Sequence, residues 1–264
     1  MDRHLLILST VCFLAGVVYT IVAFWERTFR PGRFNFFAIA SGFIFQTAFL
    51  AVRGHELHRC PLTNLFEVLI FLAWSIALIY MLVGPTYQLS LMGAFTAPLV
   101  LIVQGFALLA PIDIRHPVKL PANSWLEFHA SMSMVAYGAF ALACIAGMMY
   151  LVQERQIKTH QFRSIFFHLP PLSDLFTAIM RLLWLGFALY SLGLASGFFV
   201  GQPLPRVQVI CAVAVWLLYA AILQAKYLRW LAPKRVAALC IVAFSTALTL
   251  LWGITFTAQL HSLP

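Results

Sequence analysis

Trp125 to Phe140 reads WLEFHASMSMVAYGAF, which places one imidazole, His129, at the head of an otherwise apolar helix. Ser133 and Tyr137 follow at i+4 and i+8. The three share one helical face, a polar strip leading in from the outer surface, with Tyr137 about 12 Å below His129 at 1.5 Å per residue. A neutral imidazole is the commonest metal and haem ligand. The competing use of a single interfacial histidine is a plain hydrogen bond at the membrane surface. On another face Ala139, Ala143 and Gly147 recur every four residues, a small-residue stripe suited to close helix packing.

The elements that must hold these groups follow from composition. Of 264 residues, 62% are hydrophobic and 9% charged, against about 25% charged in soluble domains. Eight runs exceed the roughly 17 residues needed to cross a hydrocarbon core: 5–25, 34–52, 65–83, 88–110, 130–152, 182–200, 207–225 and 236–258. Each is continuously apolar rather than alternating, as helices are and barrel strands are not. The first run follows a single Arg3 and lacks a small-x-small cleavage site, so it reads as a span rather than a signal peptide. The expectation is an all-α integral membrane protein, a bundle of eight transmembrane helices forming a single polytopic domain over residues 1–264.

Orientation follows from the 17 Lys and Arg. One set of alternating loops holds Arg27, Arg30, Arg33, Arg155, Lys158, Arg163, Arg181, Lys226, Arg229, Lys234 and Arg235; the other holds Arg3, Arg53, Arg59, Arg115, Lys119 and Arg206. The richer set is expected in the cytoplasm, which puts both termini on the outer, periplasmic side of a bacterial cytoplasmic membrane. Topology and anionic inner-leaflet lipid then account for the net charge of +9, and no nucleic-acid partner is implied. The same split places His4, His55, His58, His116, His129 and His261 outside and only His160 and His168 inside.

Other chemistries have no residues to carry them. Cys12, Cys144, Cys211 and Cys240 lie within apolar runs and Cys60 in an outer loop, with no Cys-x-x-Cys pair. There is no Gly-rich phosphate loop, His-Glu-x-x-His or nucleophile elbow. In the outer segment RGHELHRCPLTNLFEVL, Thr63 or Asn64 suits a helix cap and Glu67 the positive end of the helix dipole. Asn64, Glu67 and Trp74 also fall near one helical face, where a polar cluster is an alternative. The outer loop PIDIRHPVKLPANSW is expected to be extended and ordered by its prolines; its Arg115 and Lys119 suit either acidic groups such as propionates or lipid phosphates. The inner connection QERQIKTHQFRSIFFHLPPLSDLFTAIMR reads as an interfacial segment, or alternatively as a protein-docking surface.

Three blocks together resemble the cytochrome c assembly family of membrane proteins, which includes CcsA, CcmC and a HemX/YpjD-like branch. They are CPLTNLFEVLIFLAWSIALIYML, WLEFHASMSMVAYGAFALACIAGMMYLVQERQIK, and VWLLYAAILQAKYLRW through TFTAQLHSLP, covering most of the chain from residue 60 onward. In CcsA-type relatives the histidines of the second block and of the terminal Leu-His-Ser are external haem ligands; the matching positions are His129 and His261. The family's Trp-rich, Trp-x-Trp-Asp loop is replaced here by GQPLPR, and the position of an intramembrane histidine by Gln224. Those departures resemble the HemX/YpjD-like branch and remove the surface that would present haem to an apocytochrome.

The resemblance implies a non-enzymatic haem-binding or haem-handling protein with haem b at the outer face. His129 and His261 are then the iron ligands, Tyr137 lies beneath them, and Arg115, Lys119 or Arg53 neutralises propionates. Ligation needs neutral imidazoles, so it weakens as pH falls through about 6.5, the ordinary histidine value. Membrane lipid and haem-biosynthesis or cytochrome-assembly proteins are the implied partners. A second reading is a cofactor-free accessory subunit acting through its cytoplasmic loop, near Arg155, Lys158 and Phe166, on a haem-synthesis enzyme or another membrane complex. A transporter fits less well, because ionisable residues at membrane centre, which mark ion pathways, are nearly absent.

Overall fold

The computed structural model describes residues 2–25, 33–83, 90–109, 113, 123–159, 171–201 and 205–260. Among them there are eight helices and no strand: α1 (Asp2–Trp25), α2 (Arg33–Leu57), α3 (Leu65–Val83), α4 (Ser90–Leu109), α5 (Ser124–Thr159), α6 (Leu172–Gly197), α7 (Arg206–Tyr227) and α8 (Pro233–Leu260). All eight contain a stretch long and apolar enough to cross a membrane. The chain is a multi-pass, all-helical membrane protein.

Local chemistry sets where the helices begin and end. The Asn64 side-chain oxygen accepts the Glu67 N–H at 2.8 Å, and Glu67 Oε2 accepts the Thr63 N–H at 2.8 Å, so the two residues cap the start of α3 reciprocally. Asn123 caps α5, its side-chain oxygen accepting the Trp125 N–H at 3.0 Å. Proline occupies the first position of α8 and the residue before both α6 and α7, where its missing N–H costs nothing. At the far end of α2 the chain turns through His58 at φ 52; the Arg59 N–H reaches the Gly54 carbonyl at 3.2 Å and the His58 N–H reaches that of His55 at 3.4 Å. That bond pattern is the Schellman stop.

Helix α5 is the centre of the bundle and packs on α3, α6 and α8; α1, α2 and α4 lie to one side, and α7 packs mainly on α6 and α8, reaching α5 through the Tyr219 and Phe140 ring stack. From Ala136 to Gly147 every residue of α5 is buried, the mark of a helix surrounded by others. The small-residue stripe serves this packing. A Cβ at Gly147 would stand 2.9 Å from the Ala237 carbonyl oxygen, so α8 lies against α5 at a distance only glycine permits.

The expected inner connection is shorter than the composition indicates. α5 has 36 residues, about 54 Å at 1.5 Å per residue, and runs on through Gln153 to Thr159, while α6 begins at Leu172 rather than near residue 182. Apolar-run counting misses the α5 extension because QERQIKT is polar yet rich in good helix formers, and the α6 extension because Ser173, Asp174 and Arg181 interrupt its apolar residues. The α5 extension is also stitched by an ion pair one turn apart, Lys158 Nζ to Glu154 Oε1 at 2.6 Å, with Lys234 of α8 at 3.9 Å from the same carboxylate. Phe166, Arg163, His160 and His168 lie outside the described residues.

Candidate functional site

His129 sits one and a half turns into α5, half-buried against α6. Its Nδ1 is 2.7 Å from the Gly193 carbonyl oxygen. A carbonyl only accepts, so Nδ1 carries the proton and Nε2 keeps its lone pair. This is the arrangement that prepares a histidine to ligate: one nitrogen is held by a backbone acceptor, which orients the ring and raises the basicity of the other.

The seam that allows it is made by small residues on α6. A Cβ at Gly193 would fall 2.9 Å from Ser133 Oγ and 3.2 Å from the Ser133 backbone nitrogen, and one at Gly197 would fall 3.3 Å from His129 Nδ1. The two glycines therefore bring α6 close enough for its backbone carbonyl to reach the imidazole. Ser133 donates back to the His129 carbonyl at 2.7 Å, which spares that hydroxyl an unpaired burial. The Gly-x-x-x-Gly spacing was readable in the sequence, but its partner helix was not.

Above this seam α5 and the end of α6 form an aromatic shelf. Trp125 and Phe199 pack with ring centroids 5.0 Å apart, yet remain 48% and 64% exposed. The Asn123 amide donates to the Val200 carbonyl at 2.8 Å, tying the turn after α6 to the start of α5. Two exposed aromatic rings, their planes 31° apart, beside an oriented imidazole suit contact with an apolar ring ligand.

Tyr137, two turns below, is 5% exposed. Its hydroxyl donates to the Ala247 carbonyl of α8 at 3.4 Å, and its ring meets Tyr190 edge to face at 6.0 Å. Phe140 continues the cluster by stacking on Tyr219 of α7 at 3.6 Å. The expected strip His129, Ser133, Tyr137 therefore exists as a face, but it is covered by α6 and α8 rather than open. His261, Arg115 and Lys119 lie outside the described residues; the described backbone of α8 ends at Leu260.

Arg53 is not available to a propionate. It is 2% exposed, with Nε donating to Glu67 Oε1 at 3.0 Å and Nη2 to Asp113 Oδ1 at 2.5 Å. Asp113 also meets Arg3 at 3.3 Å. The network ties α1, α2 and α3 to the segment after α4, and its charges answer one another. Sequence reasoning placed Glu67 at the helix dipole but missed Arg53, because the two elements that pair them are set by tertiary contact. Nor does Trp74 join Asn64 and Glu67: its indole N–H donates to Thr47 at 2.8 Å and its ring stacks on Phe43 of α2.

Two other positions bear on the site. Cys60 Sγ lies 3.4 Å from Ser131 Oγ; burial pushes its thiol pKa up, the Ser131 hydrogen bond offsetting part of the rise and Glu127 and Glu67 adding to it. Gln224 lines a cavity of about 350 Å³ between α6 and α7 with Trp184, Phe187 and Tyr227, facing away from the packed centre.

The profile of the cytochrome C assembly protein family matches residues 62–261. The cytochrome c biogenesis protein CcsA of Guillardia theta is 25% identical over 289 residues, covering 96% of this chain and 94% of that protein. The protein of the same name from Prochlorococcus marinus is 30% identical over 247 residues, covering 80% and 77%. With that of Mesostigma viride the match is 30% over 115 residues, which spans only 38% of the relative. The matched region takes in α3 through α8, including both helices of the His129 seam, and the chain belongs to the cytochrome c assembly protein family.

Proposed function

We propose that this chain is a haem-handling protein of cytochrome c assembly, with His129 as one iron ligand and no catalytic step of its own. The observation that carries the reading is the His129 hydrogen bond to the Gly193 carbonyl, which leaves Nε2 as a free donor beside the Trp125 and Phe199 shelf. His261, which follows directly on α8, is proposed as the second ligand, with Arg115 and Lys119 toward the propionates and Tyr137 beneath. An imidazole donor and a flat apolar wall fit a b-type haem; such a group supplies an iron centre that a partner accepts or reads. The absence of a Trp-rich segment between α6 and α7 favours holding or sensing haem over presenting it, as in a HemX-like branch. The setting proposed is a bacterial cytoplasmic membrane with both termini outside.

The test is the pyridine haemochrome content and Soret spectrum of the purified chain. Wild type is expected to retain haem, and His129→Ala and His261→Ala to retain much less. Equal, low haem in all three would overturn the ligand assignment. It would favour instead an accessory subunit that works through the polar extension of α5, where Arg155 and Lys158 stand clear of the bundle.

A further inference from the structure

The haem reading leaves two histidines of the same end of the bundle unused. His55 and His58 stand at the last turn of α2 and its stop, both exposed, with ring centroids 6.0 Å apart and planes tilted by 48°. A metal bonded to an imidazole nitrogen at 2.0–2.1 Å lies about 3.2 Å from that ring's centroid. Two rings on one ion therefore have centroids at most about 6.4 Å apart, and about 5.2 Å at a tetrahedral angle. The observed separation falls inside that outer limit and above the tetrahedral value, so the exposed rings must close by about 0.8 Å to share one tetrahedral ion.

The backbone holds the pair in place. His58 takes the left-handed position of the α2 stop, fixed by the bonds from Arg59 and His58 to the Gly54 and His55 carbonyls. Glycine is the usual occupant of such a position, because it carries no Cβ penalty. The left-handed backbone does not by itself mark a site, since Arg229 holds the same corner after α7 at φ 60. What distinguishes the α2 stop is that the turn projects a second imidazole beside the first.

We infer that His55 and His58 form a two-imidazole chelate for a divalent transition ion of the copper, nickel or zinc class, separate from the proposed haem site. The nearby thiol does not complete a soft site. Cys60 Sγ is engaged by Ser131 Oγ at 3.4 Å. The remaining ligands are water, a donor set that suits Cu²⁺, Ni²⁺ and Zn²⁺ rather than Cu⁺.

The experiment titrates the full chain, purified with a histidine-free tag, with Cu²⁺ and follows binding by calorimetry and by nitrogen hyperfine structure in electron paramagnetic resonance. Wild type is expected to take one tight equivalent with two nitrogen ligands. His55→Ala and His58→Gly should each weaken it about a hundredfold, since losing one arm removes the intramolecular advantage of the second. His58→Gly suits the backbone position, so its melting temperature should hold or rise, and loss of copper cannot then be laid to misfolding. His129→Ala should leave copper binding intact, which keeps this result independent of the haem reading. Copper bound by His58→Gly as by wild type, or lost equally in His129→Ala, would overturn the inference.

Discussion

Two clusters near one end of the bundle handle polarity in opposite ways. Around Arg53 every charge meets another: Glu67 and Asp113 both take its guanidinium, and Arg3 closes on Asp113. Around His129 one ring nitrogen bonds the Gly193 carbonyl and the other has no partner among the described residues. The first arrangement resists change, because removing Arg53 or Glu67 strands the buried charge of the other. The second costs little to hold, because a neutral imidazole with one bond made tolerates a half-buried position while keeping a donor for a ligand. Saturated polarity serves architecture here, and the imidazole with one nitrogen unpaired among the described residues is the ligand proposed above.

Substitutions separate the two regions by the size of their effect. Arg53→Ala leaves Glu67 buried without its partner and is expected to cost about 3–5 kcal/mol, read as a lower melting temperature in detergent. The double variant Arg53→Met, Glu67→Gln, which keeps an acceptor for Thr63, should recover part of that loss; if it does not, the network contributes more than charge compensation. In the seam, Gly193→Ala drives a methyl group against the Ser133 backbone and should cost about 1–3 kcal/mol. It should also lower haem content, because the carbonyl that orients His129 must move. A drop in stability with haem unchanged would break the link between the seam and the site.

Smaller effects sharpen the contrast at the helix starts. Asn123→Ala removes the α5 cap and the bond to Val200 and should cost about 1 kcal/mol, with haem largely kept. Smallest in energy is Cys60. Its raised pKa predicts slow maleimide labelling at pH 7, with a rate still climbing where an ordinary thiol of pKa about 8.5 has levelled off. Ser131→Ala removes the hydrogen bond that offsets the rise, so labelling should slow further. Faster labelling in that variant would mean that Ser131 shields the thiol rather than lowering its pKa.

Particular residues mark how far the sequence could be read. The eight spans were legible from apolar runs alone, and so were the Asn64 and Glu67 cap and the stripe at Gly147, since each depends on neighbours within two turns. The lengths of α5 and α6 were not, because α5 ends in polar residues and the start of α6 mixes Ser173, Asp174 and Arg181 into an apolar face, so neither forms a continuous apolar run. At the site, His129 was picked out by its type and place, but the Gly193 carbonyl is 64 residues away. Arg53, offered as one of three candidates for the propionates, was not seen to be spent on Asp113 for the same reason, the two being 60 residues apart.

Helix number, membrane insertion and the family follow from the order of side chains along the chain, because burial in lipid and local capping are decided residue by residue. Only the packed bundle decides which nitrogen of His129 is free, since that depends on how closely two glycines let α6 approach α5. It decides equally that Arg53 is spent on Glu67 and Asp113. The Gly193 and Asp113 contacts are distances between distant segments, which sequence order does not display, whereas the His55 and His58 pair is local and takes its geometry from the α2 stop.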